Sequence, residues 1–145
     1  MSNYIPNNLR SIVAERAGYV CEYCLISQED SFHACHIDHI ISIKHGGQTE
    51  EENLAFACQF CNRNKGADIG SVILPSKEFI RFFNPRVDHW DDHFDLDNGK
   101  ILPKTEIEQV TVKILDFNNP EALIDRQLLI KAGRYPPAGK PPKQE

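Results

Sequence analysis

Apolar residues near the N-terminus recur at the spacing of an amphipathic helix. The positions that carry this repeat are Leu9, Ile12, Val13 and Ala17. Asn7 or Asn8 can cap the N-terminus of such a helix, and Gly18 is suited to the left-handed residue that ends it. The pattern therefore predicts a first helix that leads directly into a pair of cysteines.

The next segment changes to a strand-like pattern. Residues 35–43 alternate and are rich in isoleucine, which predicts a strand, and residues 45–47 contain two glycines that predict a turn. A short apolar run at residues 54–57 predicts a second strand. Residues 59–65 predict a short helix that ends at Gly66.

Residues 71–103 carry two local signals. Ser76 can cap a short helix bearing Phe79, Ile80 and Phe83, so we predict a helix there. Asn98-Gly99, between apolar residues on either side, predicts a two-residue β-hairpin turn.

The C-terminal third predicts two further helices. Thr105 and Glu108 have the spacing of a capping box, although the alternating residues 110–114 suit a strand equally well. Asn119-Pro120 predicts a cap and first turn for a last helix that ends at Gly133. The Pro/Lys-rich residues 136–145 predict a disordered tail.

The bulk composition is that of a globular protein. The chain has 145 residues, 41% hydrophobic and 26% charged, so we expect a single domain over residues 1–135. Apolar runs are too short for a transmembrane helix, and the first residues lack the pattern of a signal peptide. The odd number of cysteines, five, then favours reduced thiols in the cytoplasm. The net charge of −5 argues against a module that only binds nucleic acid.

Four of the cysteines form two Cys-x2-Cys pairs. They are Cys21, Cys24, Cys58 and Cys61. Paired thiolates at this spacing are typical of tetrahedral zinc, and two pairs together make ordinary buried cysteines the less favoured interpretation. Four thiolates leave no open coordination position, so we predict a structural Zn²⁺ ion.

A second group of polar residues lies between the two cysteine pairs. Asp38 and His39 are adjacent on the predicted strand, and taken alone they fit a hydrogen-bonded sheet edge as well as a reactive site. Asn53 and Asn62 follow at intervals of fourteen and nine residues, which favours a reactive site.

In order and spacing, this segment resembles the HNH endonuclease family. The residues that carry the resemblance are Asp38-His39, Gly46-Gly47, Asn53-Leu54, Cys58-x2-Cys61-Asn62 and Lys65-Gly66. The resemblance implies an α+β fold: a ββα-metal (His-Me finger) core over residues 8–70, with a treble-clef-like zinc site. An α/β extension over residues 71–135 would follow. In that extension, Phe83-Asn-Pro-Arg86, Trp90 and His93-Phe94 resemble a segment found in some small HNH proteins, to which we attach no chemistry.

The resemblance also implies roles for single residues. Asp38 and Asn62 would be ligands of a catalytic Mg²⁺ or Mn²⁺ ion, and His39 would be the general base. Asn53 would support the base or its loop. The implied reaction is hydrolysis of a phosphodiester in DNA, with RNA or branched DNA as alternative substrates. A catalytically inactive, zinc-stabilised binding or interaction module is the alternative function.

For several basic residues near this group, the sequence predicts a less specific role. Arg63 and Lys65 could contact nucleic acid, and Lys65 in particular a flanking phosphate. His36 lies two residues before Asp38 and could assist the metal, although a hydrogen-bonded histidine at the sheet edge is favoured. His89 and His93 are spaced for a second metal site, but no further ligand has suitable spacing. The sequence makes no prediction of oligomeric state.

Overall fold

The computed structural model of the protein describes residues 4–138. Its helices are α1 (Asn7–Arg16), α2 (Gln59–Lys65), α3 (Trp90–His93), α4 (Glu106–Ile114) and α5 (Pro120–Lys131). Its strands are β1 (His36–His39), β2 (Leu54–Ala57), β3 (Gly70–Ile73), β4 (Glu78–Arg81), β5 (Phe94–Asp97) and β6 (Lys100–Pro103). Consecutive strands pair into three antiparallel hairpins. This mixed architecture confirms the predicted α+β class, and β1, β2 and α2 together are consistent with a ββα core.

The β1–β2 hairpin is the part of the fold that positions Asp38, His39 and Asn53. His36 pairs with Ala57 and His39 with Leu54, and all four residues of β2 are buried. The outer edge of β2 is covered by Arg16 and Glu22 rather than by a third strand, and Glu22 N donates to Phe56 O at 2.8 Å. Arg16 Nη2 donates to Leu54 O at 2.8 Å, and Glu22 Oε1 accepts from Phe56 N at 2.9 Å. These contacts satisfy the hydrogen-bonding groups of Leu54 and Phe56 at the buried edge of β2.

Strand β1 is shorter than the sequence predicts, ending at His39 rather than near residue 43. The backbone of Ile41 still finds partners, but they belong to a side chain. Asn53 Oδ1 accepts from Ile41 N at 2.8 Å, and Asn53 Nδ2 donates to Ile41 O at 2.9 Å. The side-chain amide of Asn53 thus takes the place of a strand residue as the hydrogen-bond partner of Ile41. The alternation of apolar and polar residues does not predict such a partner.

The prediction of a helix after Ser76 is wrong, because this segment is the β3–β4 hairpin. Val72 pairs with Phe79 across it, a combination of β-branched and aromatic residues that suits a pleated sheet. Ser76 does bond locally, but its Oγ accepts from Glu78 N at 3.2 Å and donates to Ile73 O at 3.1 Å. These bonds form the turn of a hairpin instead of a helix cap.

The remaining elements of the extension are confirmed. Asn98 and Gly99, at φ 48° and 85°, form the turn between β5 and β6. Thr105 and Glu108 form the capping box of α4, so residues 110–114 are helical rather than extended. Asn119 Oδ1 accepts from Ala122 N at 3.0 Å at the start of α5. Most of the predicted disordered tail, residues 139–145, lies outside the described residues.

The main hydrophobic core continues directly into the four cysteines. Phe94 is at its centre, with ring centroids 5.2 Å from Phe83, 4.8 Å from Trp90 and 5.8 Å from Phe117. The same buried cluster includes the cysteine pairs and residues of β2. The extension therefore packs on the cysteine site and not on a separate core. No helix within residues 4–138 is long and apolar enough to cross a membrane.

Candidate functional site

The fold brings the four paired cysteines together, although they come from two distant parts of the chain. The sulfur atoms of Cys21, Cys24, Cys58 and Cys61 all lie within 4.8 Å of one another, and all four residues are buried. Cys24 Sγ and Cys58 Sγ are 3.7 Å apart. A tetrahedron with Zn–S bonds of about 2.3 Å has S–S edges of about 3.8 Å. Four buried sulfurs at this spacing fit a structural zinc ion.

Each cysteine pair forms the same small turn. Cys24 N points to Cys21 Sγ at 3.5 Å, and Cys61 N points to Cys58 Sγ at 3.4 Å. We call Cys21–Cys24 the first knuckle and Cys58–Cys61 the second. The second knuckle lies at the junction of β2 and α2, where Cys58 is the N-cap of the helix.

The first knuckle is held by residues that lie far along the chain. Glu22 forms a buried ion pair with Arg86. Trp90 Nε1 donates to Tyr23 O at 2.7 Å, and Tyr135 Oη donates to Cys24 O at 2.8 Å. Three consecutive positions of this knuckle are thus fixed by the C-terminal extension.

Asp38 lies on β1 and its carboxylate is only 6% exposed. Tyr23 Oη donates to Asp38 Oδ2 at 3.2 Å, and Lys65 Nζ lies 3.1 Å from the same oxygen. Burial raises the pKa of this carboxyl group, while the Lys65 ammonium opposes the shift. The paired lysine therefore offsets only part of the cost of burying a carboxylate here, because the net shift of the pKa is still upward.

His39 is the next residue of β1 and is half-buried. Its Nε2 atom lies 2.8 Å from Thr49 Oγ1, in the loop that follows the first strand. Burial lowers the pKa of His39, and the nearby Lys65 ammonium lowers it further. The imidazole is therefore kept neutral near pH 7, the form that can accept a proton.

Asn53 organises the loop that carries Thr49. In addition to its two bonds to Ile41, Asn53 Nδ2 donates to Gln48 O at 2.9 Å, and the side chain is 9% exposed. Gly47 lies close to both Ile41 and this amide. A Cβ atom at position 47 would lie 1.7 Å from Ile41 O and 2.8 Å from Asn53 Nδ2. Only glycine fits at this point of the loop.

Asn62 and Lys65 lie one turn apart on α2, on the side that faces β1. Lys65 Nζ reaches Asp38 and also donates to His39 O at 2.9 Å. Because residues three apart share a helix face, this contact directs the Asn62 side toward the same strand. Within residues 4–138 the Asn62 amide makes no side-chain hydrogen bond, so its oxygen is available to a ligand.

The position of Lys65 does not fit the expected contact with a flanking phosphate. The side chain is 1% exposed, and its ammonium group is directed inward to Asp38 and His39. Helical spacing correctly places Lys65 beside Asn62, but it does not reveal that this face is buried. Arg63 is exposed, with its guanidinium 5.5 Å from the centre of the Phe60 ring.

The other histidines considered from the sequence are His36, on the same strand as Asp38, and His89 and His93 in the extension. His36 is exposed at the start of β1, on the same strand face as Asp38. His93 lies between two carboxylates, with Nδ1 3.0 Å from Glu108 and Nε2 3.7 Å from Asp88. Among the described residues, the four cysteines are the only group of three or more such ligands close enough to hold a metal. A second site at His89 and His93 is therefore unsupported.

Tyr23 contacts Asp38 and Thr49 contacts His39, and the sequence reasoning did not single them out. Tyr23 is fully buried, and its hydroxyl meets Asp38 from the side of the first knuckle. Its position between two zinc ligands is the one signal that could have indicated an inward orientation. Thr49 carries no such signal, because its contact depends on the path of the loop.

The donor atoms at this site suit two different kinds of metal. The sulfur cluster suits zinc, whereas the oxygens of Asp38 and Asn62 are hard ligands of the kind that Mg²⁺ or Mn²⁺ prefers. Asp38 already accepts from two protein groups, but a carboxylate has about four acceptor sites. Among the described residues, the four sulfurs are grouped as a zinc ion requires, whereas Asp38 and Asn62 offer only the type of donor atom that a hard cation prefers.

Comparison with known proteins agrees with this geometry. Residues 21–68, about a third of the chain, match the family model described as HNH endonuclease. The match includes both knuckles, β1, β2 and α2, and it confirms the resemblance seen in the sequence. No curated protein and no solved structure gave a significant match. The family match indicates a nuclease that uses a metal ion.

Proposed function

We propose that the protein is an endonuclease that hydrolyses phosphodiester bonds in DNA, with His39 as the general base. The observation that carries the proposal is the contact of Lys65 with both Asp38 and His39 O. This contact joins the Asp38 carboxylate and the backbone of His39 to α2, the helix that carries Asn62, within the segment that matches HNH endonucleases.

His39 is suited to take a proton from an attacking water molecule. Its pKa is lowered by burial and by Lys65, so the imidazole is neutral at physiological pH. Thr49 Oγ1, 2.8 Å from Nε2, orients the ring and marks the nitrogen that faces the loop. Asn53 supports this loop through its bonds to Ile41 and Gln48. The half-buried position still leaves part of the ring accessible to solvent.

Asp38 and Asn62 would hold one Mg²⁺ or Mn²⁺ ion, with water and the substrate phosphate as its other ligands. When bound, such an ion stabilises negative charge on the phosphoryl group and on the leaving oxygen. Two protein ligands hold Mg²⁺ weakly, so binding of the ion and of DNA should be coupled. Tyr23 and Lys65 fix the orientation of Asp38 from the inside of the protein.

Substitution of His39 tests the assignment of the base. The purified protein is incubated with plasmid DNA and Mg²⁺, and we expect His39→Ala to reduce cleavage by about 10²–10⁴-fold. The matched control is His45→Ala, since His45 is exposed in the neighbouring turn. Unchanged cleavage by His39→Ala, with a preparation free of other nucleases, would refute the role of His39.

The metal requirement tests the ligand pair. Cleavage should need added Mg²⁺ or Mn²⁺ and should stop with EDTA at concentrations that leave the zinc content of the protein unchanged. Full activity with Zn²⁺ alone would contradict an all-oxygen ligand set and would instead indicate a histidine ligand such as His36.

One observation favours the second candidate, an inactive binding module. Asp38 Oδ2 already accepts from Tyr23 and Lys65, so the carboxylate has an internal cation without any metal. If this ion pair is only structural, His39→Ala and the unaltered protein will be equally inactive while both bind DNA. Binding without metal-dependent cleavage would therefore select this candidate.

A further inference from the structure

A cavity of about 320 Å³ lies beside the second knuckle, on the side of α2 that does not face β1. Its walls come from the loop after the first knuckle, the start of α2 and the start of α5. Its lining includes Phe32, His33, Phe60, Arg63, Glu121 and Asp125. The volume is at the lower end of the range for sites that bind small ligands.

The cavity has an aromatic wall and an aromatic rim. Phe60 and Phe117 contribute ring surface from the side of the core. At the rim, Phe32 is 95% exposed and contacts the ring of His33 edge-on, with centroids 4.8 Å apart. An aromatic side chain left so fully in water at the edge of a cavity offers a stacking surface to a flat ligand.

The charges around the cavity disfavour an anion. Arg126 lines it, but its guanidinium donates to Gly99 O at 2.6 Å and to Phe117 O at 2.7 Å. Asp30 is paired with Arg134 at 2.8 Å. Among the described lining residues, this leaves Arg63 against two exposed carboxylates, Glu121 and Asp125. A phosphate would be repelled, whereas a neutral ring with N–H groups would find acceptors.

The position of the cavity links it to the proposed reaction. Arg63 lies on its wall and directly follows Asn62 on α2. A nucleic-acid strand that passes Asn62 with a phosphate could therefore direct a neighbouring base toward the cavity. Among the described residues of the wall, Arg63 is the exposed arginine, and its guanidinium, which lies over the Phe60 ring, can meet the connecting backbone.

We propose that this cavity binds one unpaired base of the DNA strand, a base with an exocyclic amino group, stacked between Phe32 and Phe60 and hydrogen-bonded to Asp125 or Glu121. The proposal rests on the proposed function for its ligand class. A base that is already unpaired avoids the cost of leaving the duplex, so the protein would prefer DNA with an unpaired position over a perfect duplex.

Binding is measured by fluorescence anisotropy with the full-length His39→Ala protein and no added Mg²⁺, so that cleavage does not interfere. The three probes are a perfect duplex, the same duplex with one bulged adenine, and the same duplex with an abasic residue at the bulge. We expect the bulged adenine to bind at least about fivefold more tightly than the other two, as base–aromatic stacking predicts.

Two further variants locate the preference in the cavity. Phe32→Ala and the double variant Glu121→Ala/Asp125→Ala should each abolish most of the gain from the bulged adenine, and all three residues are exposed, so folding should be preserved. The matched control is Phe79→Ala, because Phe79 is also an exposed phenylalanine (57%) but lies on the β3–β4 hairpin. A gain that is absent, or that survives in both cavity variants, overturns the proposal.

The design separates failure of this inference from failure of the proposed function. Cleavage of perfect duplex DNA with no preference for the bulge would leave the nuclease intact and overturn the cavity. A preference for the bulged adenine that depends on Phe32, in a protein that never cleaves, would support the cavity and refute the nuclease.

Discussion

The two knuckles of the cysteine site have the same local geometry but different supports. In each, the last cysteine directs its backbone N–H to the sulfur of the first, at 3.5 Å in the first knuckle and 3.4 Å in the second. The second knuckle is the junction of β2 and α2, so neighbouring residues fix it. The first is fixed by Arg86, Trp90 and Tyr135, more than sixty residues away.

This difference shows how the site depends on the extension. Tyr23 lies between the first two cysteines, and its hydroxyl donates to Asp38. The position of the first knuckle therefore influences a contact of Asp38. Contacts made by the extension at one side of the zinc site therefore reach Asp38, a residue that we propose as a ligand of the catalytic metal. The second knuckle reaches Asp38 more directly, through Lys65 on its own helix.

The largest expected effect is loss of the zinc ion, and it should be the same for a substitution in either knuckle. Cys24→Ser and Cys58→Ser should each lose the single zinc ion and unfold, because structural zinc contributes about 10–16 kcal/mol, as much as the whole stability of a typical domain. Cys35→Ser should keep zinc, since burial raises the pKa of the Cys35 thiol and keeps it protonated. Elemental analysis and thermal melting measure both outcomes. Loss of zinc from Cys35→Ser with retention by Cys58→Ser would mean that the ligands are misassigned.

A smaller effect separates the knuckles. Arg86→Leu leaves the buried Glu22 carboxylate without its cation, with only the Phe56 N–H still bonded to it, so we expect a loss of about 3–5 kcal/mol in the free energy of unfolding. The matched change beside the second knuckle is Arg63→Leu, which removes only an exposed contact with Phe60 and should cost less than about 1 kcal/mol. Urea unfolding followed by fluorescence of Trp90, the one tryptophan, measures both. Equal losses would contradict the difference in support.

The smallest effect tests a single hydrogen bond to the first knuckle. Tyr135→Phe removes the hydroxyl that donates to Cys24 O, and leaving this buried carbonyl unpaired should cost about 1–3 kcal/mol. Zinc should also be lost faster to a chelator. Tyr19→Phe is the control, because Tyr19 is 46% exposed and should change neither quantity. An unchanged rate of zinc loss in Tyr135→Phe would show that this contact does not support the knuckle.

Much of the ββα segment could be predicted because its signals are local. Strand β2 and helix α2 have the predicted bounds, and the four cysteines are grouped as their spacing indicates. Asn98-Gly99 and Asn119-Pro120 also specify their elements through neighbouring residues. In each case the decisive contacts lie within a few positions of the residues that predict them.

The features that the sequence did not reveal depend on contacts between distant residues. Lys65 fits an exposed phosphate-binding residue by spacing, but it is buried against a strand more than twenty positions earlier. The helix predicted after Ser76 fails because Val72 and Phe79 pair with each other across a turn. The ion pair between Arg86 and Glu22 joins residues that are 64 positions apart. Chain order alone does not indicate such partners.

The tight approach of Gly47 to Ile41 and Asn53 limits how this loop can evolve. A side chain at position 47 would lie 2.8 Å from Asn53 Nδ2 and 1.7 Å from Ile41 O. Shortening Asn53 would relieve only the first overlap, because the second involves backbone that no substitution can remove. In a library randomised at both positions, functional clones should therefore keep glycine at 47 whatever residue occupies 53. The two sites are neighbours in space without being able to compensate for each other.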